Sequence, residues 1–307
     1  MTPQQKALTG RRIGFFGKGG SGKSTMVVLL ARALQRRGYS VCVLDADSTN
    51  IGLHRALGIE QAPVPLLDYF GGMVFSGGRV TCPVDDPTPL AGAEIPMAQL
   101  PARHQGRNEE GILFLTAGKI GDQGPGAGCD GPIAKIARDF KVDQDGGHSV
   151  TLLDFKAGFE DSARGAVTSV DWALVVVDPT IAAIQMASHM QKMVEQIKAG
   201  GLPATRHLET PALVEWANRI FREASVKDVL VILNRIRDAE MERFVREKLA
   251  EKGIEPIGVI HEDPSIAVSW LKGMQLDGTS TQADVDRIIE RLETVAETNL
   301  APAQRQD

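Results

Sequence analysis

The decapeptide Phe16–Thr25, FGKGGSGKST, decides the reading of this chain. Between Gly17 and Ser24 it holds the pattern Gly-x-x-x-x-Gly-Lys-Ser. A short apolar run, Ile13–Phe16, precedes it, and the apolar-periodic segment STMVVLLARAL follows. Strand, glycine loop and helix together are the context that turns this pattern into a phosphate site. Gly17, Gly19, Gly20 and Gly22 let successive backbone N–H groups face one anion, with Ser21 and Thr25 in the same cradle. The helix N-terminus adds donors and the positive end of its dipole. In such a loop Lys23 reaches the β- and γ-phosphates and Ser24 binds Mg²⁺. The bland alternative is a glycine turn that leads into a helix and holds nothing. A second lysine, Lys18, stands between small residues in the tight loop, so its side chain must point away from the cradle.

Outward from this loop, short β-branched runs alternate with helical patterns. Strands are expected near 12–17, 40–45, 112–116, 149–154, 172–178, 228–233 and 256–260, and helices near 22–37, 131–140, 181–199, 238–251 and 282–298. Runs such as WALVVVD and VLVILN are continuously apolar, as strands buried on both faces of a parallel sheet must be. The alternation predicts an α/β fold, a doubly wound, mostly parallel sheet flanked by helices, formed as a single domain over 1–307. Two segments interrupt it. Residues 60–110 are rich in Pro and Gly and read as a long loop. Residues 200–227 read as an insertion with one amphipathic helix, Leu213, Trp216, Ala217 and Ile220 on one side. Met186, Met190, Met193, Val194 and Ile197 form a stripe on helix 181–199, which suits core packing better than a soft partner surface.

The chain has 307 residues and a net charge of −5, which argues against a broad basic surface for nucleic acid. It has no apolar run of about 18 residues to span a membrane and no apolar signal-peptide core near residue 1. Three widely spaced cysteines suit a reducing, cytoplasmic location. Residues 284–297 carry an apolar stripe, but the polar face is mostly acidic and would be repelled by anionic lipid, so docking on the body of the protein is expected.

Three further stretches belong with the phosphate loop. In VLDADSTN, Asp45 and Asp47 project from the carboxyl end of a strand, where open α/β sheets bind ligands; an Asx-type turn is the plainer reading. VTLLDFKAGFED ends an apolar strand on Asp154, a carboxylate expected on Mg²⁺-bound water. VILNRI ends on Asn234, whose amide has both a donor and an acceptor.

The form Lys-Gly-Gly-x-Gly-Lys-Ser, from Lys18 to Ser24, resembles the deviant phosphate loop of the septum-site (MinD) and plasmid-partition (ParA) ATPases, the nitrogenase iron protein and the CooC-type nickel-insertion ATPases. The resemblance extends over most of the chain from 11 to 271. It implies an ATP hydrolase that dimerises around ATP. Lys18 would then contact the partner's nucleotide, a cation supplied in trans. Asp47 would orient the attacking water and Asp45 would lie near the metal shell. Asp154 to Gly158 matches the family's D-x-x-x-G switch, whose Gly158 N–H would meet the γ-phosphate. Asn234 would read adenine, and GVIHEDPSI, 258–266, looks like the base-flanking loop, with His261 in place of the usual proline.

Within the family, AGKIGDQGPGAGCDGP and DFKAGFEDSARGAVTSVDWALVVVDPT look most like the nickel-insertion branch. That branch carries Cys-x-Cys, whereas this chain reads Cys129-Asp130-Gly131. The same loop resembles that of the iron proteins, whose second cysteine falls where this chain has Asp161. A shared four-iron cluster needs four thiolates. Cys129 is thus open to three readings: a transition-metal ligand at a dimer interface (Ni²⁺, Zn²⁺ or an iron–sulfur cluster), a redox-sensitive thiol, or a packed remnant. Cys82 has no assignment. The resemblance points to a Mg²⁺-dependent switch that acts on a metalloprotein client. An iron-protein-like reductase and a positioning or partition switch are the alternatives.

Overall fold

The computed structural model describes residues 6–121, 128–143 and 149–300. Most of the glycine-rich approach to Cys129 lies outside them. The described residues form ten strands: β1 Arg12–Phe16, β2 Val41–Ala46, β3 Glu94–Pro96, β4 Gly106–Arg107, β5 Leu113–Thr116, β6 Lys141–Asp143, β7 Val150–Phe155, β8 Trp172–Val177, β9 Asp228–Ile236 and β10 Gly258–His261. Eight of them form one sheet in the order β10-β9-β8-β1-β7-β2-β5-β4. Every pairing is parallel except that of β4 with β5, which is antiparallel. This is the doubly wound, mostly parallel α/β sheet that the alternation predicts. β3 and β6 pair separately.

Alternation along the central strands feeds two cores. In β8, Ala173, Val175 and Val177 join one buried cluster, while Trp172, Leu174 and Val176 join the other across the sheet. In β1, Phe16 and Phe15 divide in the same way. A strand with both faces dry must be apolar throughout, which explains why these runs lack alternating polar residues. Helix Lys23–Arg36 covers one face with Met26, Val27, Leu30 and Leu34 buried. Helix Ile181–Lys198 covers the other, and its Met186 and Met190 are core residues. Thr180 caps this helix by accepting from the Ala183 N–H, a contact worth about 1 kcal/mol.

Helix Gln282–Leu300 docks through Val285, Ile288, Ile289 and Leu292, all buried. Arg37, at the end of helix Lys23–Arg36, pairs with Asp286, Glu290 and Glu293 of this helix at 3.8, 3.1 and 3.0 Å. Much of its acidic face is therefore answered within the fold. Among the described residues no helix is long and apolar enough to cross a membrane. Residues 60–110 contain the short helix Leu66–Tyr69, three single 3-10 turns and the strands β3 and β4. The segment before β9 carries helix Pro211–Arg222, with Ala217 buried. A helix not expected from apolar periodicity, Pro264–Lys272, follows β10 and has no buried residue.

The centre of the sheet is tight. The Phe16 and Phe155 rings stack at 4.7 Å, and a Cβ on Gly14 would lie 2.9 Å from both rings. Gly14→Ala is expected to destabilise the protein by about 1–3 kcal/mol through overpacking, measured as a lower urea midpoint at unchanged slope. An unchanged midpoint would mean that the rings yield without cost.

Candidate functional site

The site lies at the carboxyl ends of β1, β2, β7 and β8. The phosphate loop leaves β1 at Gly17, and Gly22 forms the N-cap of helix Lys23–Arg36. Gly22 has φ 96°, and a Cβ there would sit 2.2 Å from the Asn234 Nδ2, so both backbone and space require glycine. Asn234 is buried and donates Nδ2 to the Ser21 carbonyl at 2.7 Å. The end of β9 thus braces the loop. Lys23 is buried, and its ammonium donates to the Lys18 carbonyl at 3.4 Å. Desolvation lowers its pKa, and the nearby Asp154 and Asp47 carboxylates oppose that shift. The Gly158 N–H donates to the Gly17 carbonyl at 3.2 Å, which joins the segment after β7 to the loop.

Below the loop lie two buried carboxylates. Asp45 and Asp154 are register partners on the adjacent parallel strands β2 and β7. Burial pushes Asp45 up to about 7 and Asp154 up to about 6. For Asp45 the Lys119 ammonium is the main opposing influence; for Asp154 it is the Ser24 hydroxyl. Ser24 Oγ donates to Asp154 Oδ2 at 2.6 Å, and Asn50 Nδ2 donates to Ser24 Oγ at 2.8 Å. Among the described residues Asp154 Oδ1, which is buried, has no hydrogen-bond partner, and the same holds for Ser21 Oγ. A hydroxyl beside a buried carboxylate with an unpaired oxygen is a hard-oxygen donor set, and it fits Mg²⁺ with retained waters.

Lys119, which follows β5, organises the loop after β2. Its ammonium donates to Asp45 Oδ2 at 2.6 Å, to the Asp47 carbonyl at 2.6 Å and to the Asn50 carbonyl. Three donors on three acceptors use the whole capacity of the group. Asp47 Oδ1 accepts from Thr49 N at 2.9 Å, Thr49 Oγ1 at 2.7 Å and Asn50 N at 3.3 Å. The Asx-type turn is therefore present, and it is built on one carboxylate oxygen.

A second charged group joins the two segments that flank the site. Asp130 accepts from Ser48 Oγ on the β2 side and from Lys156 Nζ, at 2.5 Å, on the β7 side. Asp161 takes the Lys156 N–H at 3.1 Å and lies 3.5 Å from Arg164. Where the iron-protein resemblance asks for a second cysteine, the fold has a buried carboxylate that holds the post-β7 turn. Burial raises it to about 6. Cys129 caps helix Asp130–Asp139, its sulfur accepting from Gly131 N at 3.4 Å. Among the described residues no group of three or more His, Cys, Asp or Glu side chains is gathered to hold a metal.

Lys18 lies at the mouth, 42% exposed, its ammonium 3.7 Å from Asp178 at the end of β8. Trp270 donates its indole N–H to Thr25 Oγ1 at 2.9 Å, so helix Pro264–Lys272 reaches the phosphate loop. Sequence reasoning quoted Lys119, Lys156 and Asp178 without giving them a role, and passed over Trp270. The available signal was a charge soon after an apolar strand: Asp178 directly after β8, and Lys119 three residues beyond the end of β5.

Residues 15–276 match the family described as the CobQ/CobB/MinD/ParA nucleotide binding domain, and the chain belongs to it. It is an ATPase of the MinD/ParA class, with the fold of that class. An uncharacterized ATP-binding protein of Methanocaldococcus jannaschii is 30% identical over 188 residues, spanning 61% of this chain and 74% of its own. The carbon monoxide dehydrogenase accessory protein CooC of Rhodospirillum rubrum is 26% identical over 239 residues, 73% of this chain and 79% of its own. The crystal structure of the Pyrococcus furiosus cell division ATPase MinD aligns with a TM-score of 0.56 at 20% identity, over 93% of this chain and 99% of that one. At that identity the likeness is one of fold.

The raised carboxylates set a pH dependence. Asp45, Asp154 and Asp161, at about 7, 6 and 6, stay protonated in the folded chain at pH values where the unfolded chain has released those protons. At these three groups the folded state binds more protons between about pH 4 and 7, so their contribution to stability falls as pH rises; Asp86, Glu94, Asp130 and Asp263, whose pKa values are lowered, oppose this at the acid end. His54, lowered by burial, opposes this below its ordinary value. Without nucleotide or Mg²⁺, the melting temperature is expected to rise as pH falls from 8 towards 5. Saturating Mg²⁺-ATP should cancel that rise by favouring the ionised carboxylates. A ligand-free profile that falls over the same range would remove the case for protonated carboxylates under the loop.

Proposed function

We propose that this chain is an ATP-operated switch: two copies close around ATP, and hydrolysis resets a conformation that acts on a metalloprotein client during its maturation or metal loading. The observation that carries the nucleotide part is Ser24 hydrogen-bonded to Asp154 beneath the phosphate loop, with Asp154 Oδ1 buried and unpaired. The client part rests on the likeness to CooC, named as an accessory protein of carbon monoxide dehydrogenase.

Ser24 would ligate Mg²⁺ directly, and Asp154 and Asp45 would hold it through water. The ion supplies charge neutralisation at the β- and γ-phosphates. Lys23 gives up its bond to the Lys18 carbonyl and takes the phosphates. The Gly158 N–H leaves the Gly17 carbonyl for the γ-phosphate, so the segment after β7 responds to the nucleotide's state. Asp47 keeps Oδ1 in its turn and uses Oδ2 to orient the attacking water. Asn234 offers Oδ1 to the adenine amino group, its Nδ2 being held on Ser21. Lys18 leaves Asp178, crosses to the partner's nucleotide and neutralises charge that develops in the transition state.

Two variants test these roles. Lys18→Ala should lose turnover and ATP-induced dimerisation in light scattering while it retains nucleotide binding; normal dimerisation and turnover would remove the trans-acting lysine. Asp47→Asn preserves an acceptor for the turn and deletes the carboxylate. Hydrolysis should fall by roughly 100-fold or more, with an ATP-bound dimer accumulating. A wild-type rate would reduce Asp47 to a turn residue.

A further inference from the structure

Cys82 and Cys129 are far apart in sequence and meet at one residue. Cys129 Sγ accepts the Gly131 N–H at 3.4 Å. On the same glycine, an added Cβ would fall 2.6 Å from both the Sγ and the Cβ of Cys82. Gly131 lies in the first turn of helix Asp130–Asp139, and glycine is a poorer helix former than alanine. No positive φ at Gly131 calls for glycine. The close approach of the Cys82 side chain does.

The approach is built into the fold. The loop that carries Cys82 is stapled to the helix that begins at Cys129. Lys135, buried, donates to the Asp86 carbonyl at 2.8 Å and pairs with its carboxylate at 2.9 Å. Arg138 donates to the carbonyls of Pro87 and Thr88 at 3.1 and 3.3 Å. Both cysteines are free and partly exposed, so a small oxidant can reach them. Next to Cys129 stands Asp130, which bonds Ser48 on one side of the nucleotide site and Lys156 on the other.

We propose that Cys82 and Cys129 form a redox-responsive dithiol whose closure to a disulfide shifts Asp130 and so slows ATP turnover. The oxidant is a low-molecular-weight disulfide. The Cys129 thiolate attacks one of its sulfurs, giving a mixed disulfide and releasing one small thiol. The Cys82 thiolate then attacks Cys129 Sγ and releases the second thiol. Two electrons pass from the protein pair to the small disulfide, and the two cysteine protons go to solvent or to the departing thiolates. The effect on turnover rests on the ATP-switch reading above, whereas the bond itself does not.

The test treats the full chain with oxidised glutathione and maps peptides by mass spectrometry, beside a turnover assay before and after dithiothreitol. A Cys82–Cys129 peptide pair is expected, with turnover reduced roughly 10–100-fold and restored by reductant. Cys82→Ser should turn over normally when reduced and should resist inhibition. Separate glutathione adducts with no internal bond overturn the proposal. So does an internal bond that leaves turnover unchanged, or equal inhibition of Cys82→Ser. If the reduced wild-type protein hydrolyses no ATP, the ATP-switch reading fails, and the peptide map still decides the bond.

Discussion

Two carboxylates side by side in a dry sheet are the constraint around which this molecule is arranged. Asp45 and Asp154 face each other in register at the ends of β2 and β7. Burial destabilises the charge on both; Asp154 adds to this at Asp45, and Asp47 adds to it at Asp154. The neighbourhood answers with cations and donors: Lys119 on Asp45, Ser24 on Asp154, and Lys23 close above. Nothing of this kind is needed for folding, since apolar residues at the same positions would pack more cheaply. The pair makes sense as the floor of a site whose ligand brings positive charge. The phosphate loop, braced by Asn234 on the Ser21 carbonyl, stands over it.

The two segments that line this site are connected beyond it. After β2 the chain is held by Lys119 and by Ser48 on Asp130; after β7 it is held by Lys156 on the same Asp130. Asp130 thus meets both sides of the nucleotide position and begins the helix that Cys129 caps. A group with two obligations of this sort has few arrangements that satisfy both. A change on either side must be passed to the other or cost a half-buried hydrogen bond to a charged group.

Much of the fold was legible because its signals are local. WALVVV fits a strand dry on both faces, and VILN and VTLLDF carry the same pattern. The Met186 and Met190 stripe read as core from its helical spacing. Helix Pro264–Lys272 escaped because it has no fully buried residue and touches the core only through the partly buried Ile266 and Trp270, too short a stripe to stand out. Its caps were nonetheless written out: Asp263 accepts from Ser265 N, Pro264 stands in the first turn, and Gly273 closes the end at φ 62°. The site was legible where a motif is contiguous, from Gly17 to Thr25, and opaque where it is assembled. Lys119 reaches Asp45 across 74 positions, and its role depends on β5 lying beside β2. Cys82 meets Gly131 only because a loop folds back over a helix. No periodicity or spacing encodes such an approach; the one local trace was a glycine inside a helix.

Trp270 has a use outside chemistry. Of the three tryptophans, Trp172 is fully buried and Trp216 lies beneath Arg219, 4.7 Å from its guanidinium carbon. Trp270 alone ends on the helix that follows the phosphate loop, its indole N–H on Thr25. A rearrangement there changes the polarity around Trp270, whereas Trp172 is sealed within the sheet. The protein carries its own optical probe at the entrance to the nucleotide site, readable in real time and without a label.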